Sequence, residues 1–259
     1  MSKLRHALIA LSMPAVLWGC GPEDLMDVST EPPAAQDLMT QGQELVTANT
    51  YTWSQGNIAT PMGTTVNRTC YLMRVGGDFE GGGERVDITQ TGGSWYLSGA
   101  SGQTGINGGA GCINVADTGT EYTWTQSSSY PTYLGSSTNR VCYLTGVAGK
   151  FHGSGEWVHV YETAGSWYMT GNSSQSGVRA RARCINLGAG NTFSPEYTWN
   201  QGNSATALGG ATGRSCALTF VRGKFEGGGE YVRTYQAGGS WYLGGASGQV
   251  NVGARARCF

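Results

Sequence analysis

Six of the seven cysteines fall into three pairs of equal spacing. Cys70 and Cys112, Cys142 and Cys184, and Cys216 and Cys258 are each 42 positions apart. Equal spacing in tandem means that one unit has been written three times with no gap between its cysteines. Such self-similarity decides the architecture before any residue-level reading. It predicts three disulfide-stapled copies, and therefore an oxidising compartment.

Aligned on the cysteines, each copy opens with Tyr-Thr-Trp (Trp53, Trp124, Trp199) and places an arginine two residues before its first cysteine (Arg68, Arg140, Arg214). Next comes Phe-x-Gly-x-Gly-Glu, at Phe79 to Glu84, Phe151 to Glu156 and Phe225 to Glu230, and then Gly-Ser-Trp-Tyr with Trp95, Trp167 and Trp241. The copies are expected at residues 50–115, 121–187 and 196–259, each of about 65 residues. Their linkers are short, which favours quasi-cyclic packing with pseudo-threefold symmetry over loose beads.

The N-terminus carries Lys3 and Arg5, an apolar stretch from Ala7 to Trp18, and Cys20. This is the layout of an export signal, too short for a membrane-spanning helix. The run Val16-Leu-Trp-Gly-Cys20 resembles the lipobox of bacterial lipoproteins. That resemblance implies a signal peptide over 1–19, lipidation of Cys20, and, from Gly21 after the cysteine, an outer-membrane anchor. It also accounts for the seventh cysteine. An ordinary secretion signal with a stray cysteine is the alternative. Residues 20–49 then hold Glu23, Asp24, Asp27, Glu31, Asp37 and Glu44 with no basic residue, and read as an acidic flexible tether.

Charged residues make up 13% of the chain and glycines number 43, the profile of an exported all-β protein. A formal net charge of -1 lacks the basic footprint of a nucleic-acid binder. Within each copy an extended run starts at the first cysteine. A second run alternates: Arg85-Val-Asp-Ile88, Trp157-Val-His-Val160, Tyr231-Val-Arg-Thr234. Period two with one apolar face predicts half-buried antiparallel strands. The pairs Gly92-Gly93, Ala164-Gly165 and Gly238-Gly239 predict tight hairpins. The fold class is all-β, with four or five strands per copy.

Two recurring charges, the arginine before the first cysteine and the glutamate closing the glycine turn, are expected to pair: Arg68 with Glu84, Arg140 with Glu156, Arg214 with Glu230. His152 and His159 both lie in copy two; their counterparts are Glu80 and Asp87 in copy one, and Glu226 and Arg233 in copy three. With the cysteines in bridges and three or four converging ligands needed, no metal site and no cofactor is expected. Catalysis is not expected either, since no nucleophile carries a motif and only one carboxylate per copy recurs.

Two features point to a ligand. The outward positions of the alternating strand carry Trp157, His159 and Tyr161 in copy two, and Tyr231, Arg233 and Tyr235 in copy three. Exposed rings beside hydrogen-bonding groups suit a sugar; they suit inter-copy packing equally well. Arg179, Arg181 and Arg183 alternate on one strand face, as do Arg255 and Arg257, where copy one has Gly109 and Gly111. Guanidinium rows suit an anionic ligand, neighbouring acids of the fold, or the acidic tether folding back. Copy one, lacking both features, is expected to be structural. The expectation is a non-catalytic, lectin-like or adhesion protein on the cell envelope, binding carbohydrate or another anionic surface polymer. The alternative is a structural or protein-interaction component of the envelope.

Overall fold

The computed structural model describes residues 47–188 and 191–259. The expected signal peptide, Cys20 and most of the expected tether lie outside them. All regular elements among the described residues are strands. Copy one forms β1 (Thr47–Ser54), β2 (Thr60–Thr64), β3 (Thr69–Gly76), β4 (Arg85–Thr91), β5 (Ser94–Ala100) and β6 (Asn107–Ile113). Copy two forms β7 (Tyr122–Thr125), β8 (Thr132–Ser136), β9 (Arg140–Ala148), β10 (Trp157–Thr163), β11 (Ser166–Asn172) and β12 (Arg179–Asn186). Copy three forms β13 (Tyr197–Asn200), β14 (Thr206–Gly210), β15 (Cys216–Arg222), β16 (Tyr231–Ala237), β17 (Ser240–Ala246) and β18 (Gly253–Cys258). Each copy thus has six strands rather than the expected four or five. The Tyr-Thr-Trp segment and the short run after it are both strands, too brief for a clear period of their own.

The strands make three antiparallel six-stranded sheets, and no copy owns a sheet. The first sheet, β1-β6-β3-β16-β17-β14, joins half of copy one to half of copy three. The second, β2-β5-β4-β9-β12-β7, joins the rest of copy one to half of copy two. The third, β13-β18-β15-β10-β11-β8, joins copies three and two. The exchange is cyclic, so the three copies form one pseudo-threefold body. Every junction uses the alternating strand: Val232 pairs with Val75, Val86 with Val147, and Val158 with Val221. Their side chains are buried, as period two predicts.

The bridges Cys70–Cys112, Cys142–Cys184 and Cys216–Cys258 form as the spacing predicts. Three disulfides are consistent with an extracellular or periplasmic protein. Strand β1 begins inside the expected tether, because Thr47 and Ala48 pair with Ile113 and Cys112. The linkers are also bound to the sheets. Asp117 bridges Ile185, and Ser194 donates to the Cys258 carbonyl at 2.8 Å.

A closed ring of hydrogen bonds sits where the copies meet. The N–H of Phe79 donates to Phe225, that of Phe151 to Phe79, and that of Phe225 to Phe151, each at 2.8 Å. The three rings pack edge-on with centroids 5.9, 5.9 and 6.2 Å apart, fully buried. Beside them Gly77, Gly149 and Gly223 donate to the carbonyls of Glu230, Glu84 and Glu156, again each into another copy. A second aromatic trio consists of Tyr71, Tyr143 and Phe259. Copy three has Ala217 where the others have a tyrosine, and Phe259 fills the space.

The glycine turn is explained by its glutamate. A Cβ on Gly81, Gly153 or Gly227 would fall within 2.6 Å of the carboxylate of Glu84, Glu156 or Glu230, all three buried. The hairpin pairs are left-handed as expected, with φ of 57° and 73°, 48° and 76°, and 55° and 75°. Ala164 is the one non-glycine among them.

Two outcomes follow for stability. Phe151→Ala opens the aromatic ring and removes a fully buried side chain, for an expected loss of about 3–5 kcal/mol in chemical denaturation. Ala164→Gly removes a left-handed alanine at an exposed turn, for an expected gain of about 1 kcal/mol in the same assay.

Candidate binding faces

Because junction strands bring different copies together, each sheet presents residues from two copies on its outer face. The second sheet sets the copy-two arginines beside Asp87 of copy one. Arg183 is buried; its Nη1 lies 2.7 Å from Asp117 and its Nη2 3.6 Å from Glu121, with the guanidinium 5.1 Å from the Trp95 ring centre. Arg181 reaches Glu121 at 3.4 Å and Asp87 at 4.0 Å, while Arg85 lies 3.1 Å from Asp87. Burial raises the Asp87 carboxyl, and the pull of Arg181, Arg179 and Arg85 does not fully offset it. Of the expected roles for this row, the one with neighbouring acids of the fold holds for Arg181 and Arg183. Their counter-charges are Asp87, Asp117 and Glu121.

On the third sheet the outer aromatics of copy two meet the arginines of copy three. His159 packs on Tyr161 and against Phe220, Tyr161 stacks on Tyr168, and Trp157 lies 6.0 Å from Phe220. Glu196 is the hub: His159 Nε2 is 3.0 Å away, the Thr219 hydroxyl donates at 2.8 Å, and Arg255 Nη1 lies at 3.1 Å. Burial alone would raise Glu196; His159, Thr219 and Arg257 together outweigh it and hold the carboxyl below the usual range. Arg257 donates to the Ser194 carbonyl at 2.9 Å and lies by the rings of Trp167 and Phe193. Arg255 and Arg257 therefore also have partners inside the fold.

The first sheet differs. Tyr231, Arg233 and Tyr235 of copy three meet Arg74 of copy one in a ladder of alternating rings and cations. Arg74 lies 4.0 Å from the Tyr231 ring centre, Arg233 lies 5.3 Å from Tyr231 and 4.5 Å from Tyr235, and Tyr235 stacks on Tyr242. Arg74 also donates to the Asn107 side chain. Burial and the nearby Arg233 both lower the Arg74 guanidinium's proton affinity. Where Glu121 and Glu196 stand before Tyr-Thr-Trp in the other copies, copy one has Thr50. Gly109 and Gly111 stand where the others have paired arginines. The result is an open groove of about 1560 Å3 lined by Arg74, Arg233, Tyr235 and β1, with no carboxylate among the described residues of its lining.

Copy one, expected to be structural, supplies the glycine floor of this groove together with Asn107 and Arg74. Sequence reasoning missed Arg74. The available signal was its position before Val75, occupied by Gly146 in copy two and Phe220 in copy three.

The expected ion pairs of Arg68 with Glu84, Arg140 with Glu156 and Arg214 with Glu230 are not present. Glu84 and Glu230 accept the backbone N–H of Gly102 and Gly248 at 3.3 and 3.4 Å. Arg68 donates to the Tyr51 hydroxyl at 2.6 Å, and Arg140 and Arg214 donate to the carbonyls of Leu134 and Leu208 at 2.9 and 2.7 Å. The backbone oxygens of the same arginines accept from Trp95, Trp167 and Trp241 at 3.0, 2.9 and 2.9 Å. Each arginine is held by groups of its own copy rather than by the glutamate.

Searches against protein-family models, curated proteins and solved structures each find no match to the chain.

Glu196 gives this region a pH dependence. Its carboxyl is depressed in the folded state, so its stabilisation is complete above the ordinary carboxylate range and is lost as pH falls through the depressed value. Glu196→Gln is expected to cost about 1–3 kcal/mol at pH 7, from hydrogen bonds to a charged group. The deficit relative to wild type should shrink below about pH 4 in thermal melts.

Proposed function

We propose that the protein is a non-catalytic, lectin-like binding protein of the cell envelope, anchored through Cys20, whose ligand is an acidic polysaccharide. The observation that carries this reading is the Arg74–Tyr231–Arg233–Tyr235 ladder, whose Arg74, Arg233 and Tyr235 line a groove with no carboxylate among the described residues of its lining. On the other two faces the arginines have acids of the same chain as counter-charges; here no acid among the described residues lines the groove, and the reading assigns the counter-charge to a ligand. A tyrosine ring offers a flat apolar surface to the C–H face of a pyranose. A guanidinium matches a carboxylate or sulfate in two parallel hydrogen bonds. Asn107, Thr52 and Gln103 line the same groove and provide groups for hydroxyls. On this reading avidity comes from many chains presented on one membrane.

An envelope protein-interaction role is the second reading. It is favoured by the continuous aromatic row of the third sheet, which runs to the exposed Tyr133 beside Tyr168.

The test is calorimetric titration of the purified protein with uronic-acid-containing and neutral polysaccharides. Acidic chains should bind, and Arg233→Ala should weaken binding by about tenfold or more, as loss of a charge-assisted contact implies. Folded protein that ignores acidic polysaccharides would refute the reading. Binding lost in Trp157→Ala but kept in Arg233→Ala would move the site to the third sheet.

A further inference from the structure

The residue after each phenylalanine of the axial ring comes from a different copy: Glu80, His152 and Glu226. The symmetry that joins the three backbones also gathers these side chains. His152 Nδ1 lies 2.8 Å from Glu226 Oε1 and 3.8 Å from Glu80 Oε1. All three donor atoms lie within 4.8 Å of one another. His152 Nδ1 and Glu226 Oε1 are shut off from solvent, yet no hydrogen bond of acceptable geometry joins them. Two lone-pair atoms so close, buried and out of line are the arrangement that a shared cation satisfies.

The surrounding charge agrees. Lys224 Nζ holds the other oxygen of Glu226 at 2.6 Å, leaving Oε1 for the cluster. Asp78 stands beside Glu80 and accepts its N–H at 3.1 Å.

We propose that Glu80, His152 and Glu226 form a binding site for a divalent transition-metal ion, with zinc the best fit. One imidazole nitrogen and two carboxylates are a borderline ligand set, suited to zinc rather than to calcium or magnesium, which prefer oxygen alone. At zinc–ligand lengths of about 2.0–2.2 Å, donors in a tetrahedral site stand about 3.4 Å apart, within the spread seen here. A fourth position stays open, because His152 and Glu80 are each about two-fifths exposed. The ion links all three copies at one point. The sequence holds little sign of this cluster, because His152 has acidic counterparts and the fold brings together the counterparts rather than the two histidines.

The experiment is titration of tag-free, chelator-treated protein with zinc chloride near pH 7.5, followed by calorimetry and by thermal melts. Wild type should take up one equivalent saturably and melt at higher temperature as zinc increases. His152→Ala and Glu80→Gln should each lose the saturable heat and the thermal shift, while His159→Ala keeps both. Uptake should weaken on acidification, since the imidazole must shed its proton to bind the ion. His152 and Glu80 are part-exposed positions at which the copies carry different residues, so circular dichroism of those two variants should match wild type. Absence of saturable uptake by wild type, or one equivalent retained in His152→Ala, would overturn the assignment. Neither result bears on the polysaccharide groove, which lies on the first sheet and shares no residue with this cluster.

Discussion

Each copy's β-strands have hydrogen-bonding groups along one edge that its own chain does not satisfy. Strand β4 has β5 on one side and needs β9 of the next copy on the other; β10 needs β15, and β16 needs β3. Buried backbone N–H and C=O groups left without partners cost roughly 1–3 kcal/mol each, so the exchange must close. The ring of Phe79, Phe151 and Phe225 is that closure at its tightest, three backbone bonds and three edge-on rings around one axis. The equal cysteine spacing follows from the same constraint. An insertion in one copy would disturb the register of two sheets at once.

Much of the fold was legible because its causes are local. Cysteine spacing, valine alternation and paired glycines each answer to chemistry within a few residues, and all were realised. The partners of charged groups were not legible. Arg68 and Glu84 recur together, which invites pairing, but recurrence reports a shared environment and not a shared contact. The glutamate lies under its own glycine turn, and the arginine reaches the Tyr51 hydroxyl in copy one and strand carbonyls in the other two. The arginine row of copy two shows the same limit: its acids are Asp87 from copy one and Asp117 and Glu121 from the connecting segment.

The candidate groove was half visible. Tyr231, Arg233 and Tyr235 stand out as period-two outward positions, and their place in the ladder accords with that reading. Arg74 and the glycine floor were hidden because they belong to a different copy, paired through a junction that no within-copy pattern encodes. What distinguishes the first sheet is subtraction: Thr50 in place of an acid, Gly109 and Gly111 in place of arginines. A comparison of copies that looks for gained side chains passes over such a site.

The half-sheet exchange has a consequence for ancestry. A single copy on its own would have an unpaired junction strand and half of two incomplete sheets, so it would be stable only as a ring of three identical chains. In such a ring every face would carry the same residues, and a change on one would be repeated on all. Fusion into one chain lifted that restriction while keeping the closure. One face could then lose its acids and open a groove, another could fill with aromatic rings, and a third could neutralise its own arginines.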